Sequence, residues 1–92
     1  MRPPRSVSLV VPMRNEERSL PHLLRVAREA LERHADEWEI VLVDDASSDA
    51  TPALAEEAAG ADPRVRVVRH PVNRGLGGAL KSGFAAATRE WV

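Results

Sequence analysis

The spacing of apolar positions changes along the chain, and each change predicts an element. In "SVSLVVP" the residues from Val7 to Val11 form a nearly continuous apolar run closed by Pro12. Such a run predicts a strand covered on both faces, not one half-exposed to water. In "SLPHLLRVAREALERHA" the period lengthens: Leu20, Leu23, Leu24, Ala27, Ala30 and Leu31 share one face of a helix. Ser19 suits its N-cap and Pro21 its first turn. "WEIVLV" reads as a second covered strand. "TPALAEEAAG" is a short helix capped by Thr51, with Pro52 at its first position and Gly60 as terminator. "RVRVVRH" is a third strand, whose alternating arginines suit an edge with one wet face. "GLGGALKSGFAAATRE" puts Leu76, Ala79, Leu80, Gly83, Phe84 and Ala87 on one side of a third helix.

The order β-α-β-α-β-α predicts an α/β fold: a parallel sheet with right-handed crossovers, in three α/β/α layers. Residues 1–5 are expected as a disordered tail and residues 6–92 as one domain. Ligands of such sheets bind beyond the carboxyl ends of the strands. The loops there are "PMRNEERS", "DDASSDAT" and "HPVNRGLGG", all rich in polar residues and glycine. The opposite loops, "RHADE" and "GADPR", look like plain connectors. The chemistry is expected at one end.

Composition removes several alternatives. The 92 residues carry 13 basic and 14 acidic side chains, a net charge of −1, so nothing electrostatic calls for nucleic acid as a partner. Lys81 is the only lysine, and the remaining cations are arginines, which favour planar recognition of anions. Without cysteine there is no disulfide, thiolate metal site or thiol nucleophile. His22, His34 and His70 form no metal-ligand spacing. No apolar run approaches the roughly 18–20 residues of a membrane span, and the stretch after "MRPPRS" is too short for a signal peptide. The expected location is the cytoplasm.

Each polar loop has a bland reading and a chemical one. Acids in "PMRNEE" favour a helix dipole; alternatively Pro12 shapes the turn while Asn15 and Glu16 offer directed hydrogen bonds to a ligand. Glu17 is expected to face solvent. In "DDASSDAT", Asp49 and Thr51 read as caps. Asp44 and Asp45 are harder to explain that way, and neighbours on an extended chain point opposite ways, so at most one faces a ligand. "NRGLGGALKSG" fits either a phosphate cradle at a helix start or close helix-to-sheet packing at Gly77, Gly78 and Gly83. It has neither the P-loop nor the dinucleotide spacing. Arg74 and Lys81 are cations near the ligand end.

Together, "VSLVVPMRNEE", "EIVLVDDASSDAT" and "NRGLGGALKSGF" resemble, in order and spacing, the family 2 glycosyltransferases, above all the polyprenyl-phosphate (dolichyl-phosphate) mannose and glucose synthases. The resemblance runs from about Ser6 to Val92. It implies the nucleotide-binding N-terminal half of a GT-A domain, and transfer of a hexose from a UDP- or GDP-sugar with Mg²⁺ or Mn²⁺. An acceptor such as polyprenyl phosphate implies a peripheral place at the inner membrane face. Carried over by position, Pro12, Arg14, Asn15 and Glu16 match the segment lining the nucleoside pocket. Arg14 stands where an aromatic is common, and a guanidinium can stack on a base instead. Asp44 and Asp45 match the family's acid pair, with the base- or ribose-contacting acid at Asp45. Asn73 and Gly75 match its N-x-G segment, with Arg74 between them and Lys81 on the helix that follows. Leu76 stands where relatives often carry lysine.

The family's D-x-D metal motif lies on the next strand, and its base and acceptor region come later. Neither is found in these 92 residues. The resemblance therefore implies that the chain alone binds no metal, carries no catalytic residue and is inactive. The alternative is a non-catalytic nucleotide-binding or interaction module that pairs with another polypeptide. In the family's strand order 3-2-1-4, strand one would lack a neighbour, so self-association or a partner chain is expected at that edge. A receiver-type phosphoacceptor would need its acid pair after strand one and an Asp after strand three, where this chain has His70.

Overall fold

The computed structural model describes residues 5–88 and the backbone of Glu90–Trp91. Its elements, in chain order, are β1 (Ser6–Met13), α1 (Leu20–His34), β2 (Glu37–Asp45), α2 (Thr51–Ala61), β3 (Val65–His70), α3 (Gly75–Ala86) and β4 (Glu90–Trp91). Four parallel strands form one sheet in the order β3-β2-β1-β4. The expected α/β architecture and the edge position of β3 are both present. Of the expected tail, residues 1–4 lie outside the described residues. Arg5 is held: its N–H donates to Asp36 Oδ2 at 2.6 Å, and its carbonyl accepts from the N–H groups of Asp36 and Glu37.

Side-chain alternation along β2 sorts the core into two layers. Ile40 and Leu42 face α1 and α2, packing with Met13, Leu20, Leu24, Trp38, Ala55 and Val65. Val41 and Val43 face α3 with Val10 and Ala79. Leu20 and Leu24 of α1 are buried and Ala27 and Leu31 half-buried, but Leu23 and Ala30 face solvent. The apolar stripe expected of α1 is thus wider than its contact with the sheet. On α3, Ala79 and Gly83 are buried while Leu76 is 66% exposed, because the helix start projects past the end of the strands. Of the glycines expected to let α3 lie close, only Gly83 does so: a Cβ there would sit 2.3 Å from Val10 Cγ1. One at Gly77 would meet open space, and one at Gly78 only the side chain of Arg74.

Several boundaries differ from expectation. β1 runs through Pro12 to Met13. Proline donates no ladder bond, and β1 is paired by β4 only at Val7 and Ser8, so its edge is free at that level. Gly60 does not end α2, which continues to Ala61. Among the described residues, Glu90 and Trp91 form a short fourth strand that pairs with β1 at Val7 and Ser8, where the sequence led us to expect β1 without a neighbour.

Candidate functional site

At the carboxyl ends of β1, β2 and β3 lies a cleft of about 240 Å³ lined by Pro12, Met13, Arg14, Asp45, Asn73, Gly75, Leu76 and Ala79. It takes a wall from each of three elements. β1 delivers Pro12 and Met13 at its end, β2 ends in Asp45, and the start of α3 closes the far side. Pro12, Met13, Leu76 and Ala79 are apolar; Asp45, Asn73 and Arg14 supply polar groups. The expected site residues Pro12, Arg14, Asp45, Asn73 and Gly75 therefore meet in one place. Asn15, Glu16, Asp44, Arg74 and Lys81 do not line it.

Asp45 is the hub. It is 5% exposed and lies on the α3 side of the sheet. Its Oδ1 accepts from the Arg74 N–H at 2.8 Å and its Oδ2 from the Gly75 N–H at 2.9 Å. These are orphan donors at a helix start, and a carboxylate there also favours the helix dipole. His70, paired with Asp45 across the sheet, brings Nδ1 within 2.9 Å of Oδ1. A carboxylate only accepts, so Nδ1 carries the proton, and in the neutral ring Nε2 accepts from the Ser82 hydroxyl at 2.7 Å. The Arg74 N–H, then His70, hold the Asp45 carboxyl below the usual carboxylate range. Asp45 is thus a fixed anion, with acceptor capacity left on Oδ2. Gly75 adopts φ +75°, the left-handed conformation that turns the loop into the helix. Its N–H is shared with Asn73 Oδ1 at 2.7 Å, which orients the Asn73 amide beside the cleft.

The residues outside the cleft have structural work. Asp44 points to the α1 and α2 side and is 1% exposed. The Ser47 hydroxyl donates to its Oδ1; its Oδ2 has no hydrogen bond and lies 4.0 Å from Arg69 Nε. Asn15 takes φ 55°, which Asn tolerates better than most residues. Its N–H donates to Ser47 Oγ, and its Oδ1 accepts from the Ser48 N–H at 2.8 Å. Glu16 accepts the Ser19 hydroxyl at 2.7 Å. The bonds of Asn15 to Ser47 and Ser48, with that of the Glu16 N–H to the Thr51 hydroxyl, knit the β1–α1 loop to the β2–α2 loop. Arg74 enters through its backbone, and Lys81 lies exposed on the second turn of α3.

Two expected caps work differently. Ser19 stands at the N-cap of α1 but donates to Glu16 instead of accepting from the helix. Thr51 does not cap α2. It is wholly buried, and its hydroxyl accepts the Glu16 N–H at 2.8 Å, while Asp49 Oδ1 accepts the Thr51 N–H at 2.9 Å. Ala46 adopts φ 60° without a side chain suited to it, so the loop after the acid pair holds some strain.

His70, Ser82 and Glu39 were not anticipated from the sequence. Glu39 left a trace, a charge inside the run "WEIVLV" that needs partners if buried. Nothing in the linear sequence pairs His70 with Asp45. Among the described residues, no group of three or more His, Asp or Glu side chains is placed to hold a metal ion, and no helix is long and apolar enough to cross a membrane.

Set beside known proteins, residues 8–92 match the model of "Glycosyl transferase family 2". The chain belongs to that family. The undecaprenyl-phosphate 4-deoxy-4-formamido-L-arabinose transferase of Pectobacterium carotovorum subsp. carotovorum (strain PC1) is 40% identical over 90 residues. That alignment covers 96% of this chain and 27% of the relative. Its fold is shared by solved structures. S. aureus TarS 1–349 superposes with a TM-score of 0.77 at 26% identity, over 95% of this chain and 26% of that one. The mannosyltransferase PcManGT from Pyrobaculum calidifontis, in complex with GDP-Man and Mn²⁺, superposes at 0.72 with 30% identity, over 96% of this chain and 26% of that one. The sheet and its helices are those of GT-A glycosyltransferases. This family 2 chain spans about a quarter of the length of these proteins.

Proposed function

We propose that this chain forms the nucleoside-holding part of a glycosyltransferase that takes a UDP- or GDP-sugar donor and serves a polyprenyl-phosphate acceptor at the cytoplasmic membrane face. The observation that carries the reading is the cleft itself, where a fixed carboxylate, an oriented amide and a guanidinium surround an apolar floor. Its volume of about 240 Å³ is below the roughly 300–1,000 Å³ of complete small-molecule sites, which suits a nucleoside better than a whole nucleotide sugar. Asp45 Oδ2 accepts from a ribose hydroxyl or a base N–H. The Asn73 amide donates beside it. Pro12, Met13, Leu76 and Ala79 exclude water from the base, and Arg14 stacks on the base or meets the phosphates.

Transfer itself asks for more than the described residues offer. A divalent ion of the kind bound in the mannosyltransferase complex needs several oxygen ligands. The carboxylates described here do not converge on one point, and Asp45 is already engaged. No step is therefore assigned through a metal to these residues, and no general base either. Among the described residues β4 pairs with β1 only at Val7 and Ser8, and the rest of that edge supports pairing with a further strand.

Calorimetric titration with UDP and GDP tests the reading. One of the two binds, and Arg14→Ala weakens binding by about tenfold while leaving the melting temperature in place, because Arg14 is exposed. Absence of binding by both nucleotides refutes it.

A further inference from the structure

Asp45 and Glu39 lie on the same face of β2, six residues apart, and each holds one end of α3. Asp45 takes the N–H groups of Arg74 and Gly75 at the helix start. Glu39 is buried at the other end. Its Oε2 accepts from the Thr88 N–H and hydroxyl, both at 2.7 Å, and from the Ser8 hydroxyl at 2.6 Å. Its Oε1 accepts from Arg66 Nη1 at 3.2 Å. Arg66 also donates to the carbonyl of Ala86, the last residue of α3. Four donors from β1, β3 and the segment after α3 thus converge on one carboxylate. A buried carboxylate would be a heavy burden without them.

Between its two ends α3 has few deep anchors. Ala79 and Gly83 are its buried residues, and both are small, while Leu80 and Phe84 pack only half-buried against the same layer. Small side chains leave a helix free to slide or tilt, so directional bonds at the two ends decide where it lies. The start of α3 is also the wall of the cleft, through Gly75, Leu76 and Ala79.

We propose that Glu39 is a positioning residue for the cleft: it fixes the far end of α3, so that the near end presents Gly75 and Leu76 at the correct distance from Pro12 and Arg14. This rests on the nucleotide reading of the cleft. Glu39 touches no ligand and acts only through the helix. A glutamine at position 39 keeps the shape but turns its amide donor toward one of the four donors already there, so the far end is released.

The test compares Glu39→Gln with Leu24→Ala, which weakens the opposite layer of the core and touches neither α3 nor the cleft. In the ligand-free chain, amide exchange at Arg74, Gly75 and Ala79 speeds up by about tenfold in Glu39→Gln and stays unchanged in Leu24→Ala, both measured at temperatures where the proteins are folded. UDP or GDP binding, whichever the parent chain shows, weakens by about tenfold in Glu39→Gln and less than about twofold in Leu24→Ala. Thr88→Ser, which keeps the hydroxyl, binds like the parent; Thr88→Ala, which folds with only one bond lost, binds more weakly. Equal effects of Glu39→Gln and Leu24→Ala on exchange overturn the clamp. If Glu39→Gln does not fold, identical exchange and affinity in Thr88→Ala and Thr88→Ser overturn it. If the parent chain binds neither nucleotide, the exchange comparison still decides the clamp while the nucleotide reading fails separately.

Discussion

Beneath α1 and α2 the sheet buries Met13, Leu20, Leu24, Trp38, Ile40, Leu42, Ala55 and Val65, whereas beneath α3 it buries Val10, Val41, Val43 and Ala79. The first layer is built from large side chains. The second is thin, and a glycine brings its helix against Val10 and Val43. What the thin layer lacks in apolar area it gains in polar contacts, since Asp45, His70, Ser82, Glu39, Arg66 and Thr88 all lie on it. The cleft belongs to this polar layer. Hydrophobic burial is non-directional and tolerates small shifts, whereas a charged group that accepts several hydrogen bonds sets a geometry. The thick layer gives stability and the thin one gives position.

Perturbing each layer in turn tests the contrast. The largest effect on stability is expected from Leu24→Ala, about 3 kcal/mol by urea denaturation, as usual for a buried leucine truncated in a core. Nucleotide affinity should stay unchanged, and a matching loss of affinity would show the two layers to be coupled. Gly83→Ala comes next, at about 2 kcal/mol. Its new methyl group meets Val10 and Val43, buried β-branched side chains that are stiff at χ1, although alanine suits the helix better than glycine. Here affinity should fall along with stability, because α3 is pushed off the sheet. Unchanged affinity in Gly83→Ala would mean that the cleft does not depend on the seat of α3.

A further effect is with pH. Burial opposes ionisation of Glu39, but its bonds from Ser8, Thr88 and Arg66 together outweigh that and bring its pKa from 4.5 to about 2. A lowered folded-state value favours folding at a pH above 4.5, and this contribution fades as the pH falls toward about 2. Asp45 adds in the same direction. Denaturation curves collected downward from neutral pH should therefore show stability declining through the acid range, with a shallower decline in Glu39→Gln. A parallel decline in the two proteins would remove Glu39 as a source.

Much of this was legible in the linear chain. The two buried-type runs became β1 and β2 and the alternating run became the edge strand β3, and the continuous apolar character of the first two foretold a sheet covered on both sides. Of the residues expected at the ligand end, Pro12, Arg14, Asp45, Asn73 and Gly75 meet in one cleft. Asn15, Glu16 and Asp44, expected with them from the family's motifs, do not line that cleft. The pleat separates Asp44 from Asp45, and the Asn15 and Glu16 side chains turn toward Ser48 and Ser19. Thr51 shows the same limit. A threonine before proline at a helix start reads as a cap, yet the nearest unsatisfied donor was the Glu16 N–H of another loop.

By itself, then, the sequence determined the order and type of the elements, the end of the sheet where the cleft lies, and the family. These follow from periodicity and local motifs, which need only neighbours a few residues apart. Tertiary structure alone decided which polar group meets which. Asp45 with His70 spans 25 residues and Glu39 with Thr88 spans 49, and both depend on strand register and on where a helix comes to rest. A hydrogen bond reaches only about 3 Å, so no pattern along the chain can specify it before the sheet has brought the partners together.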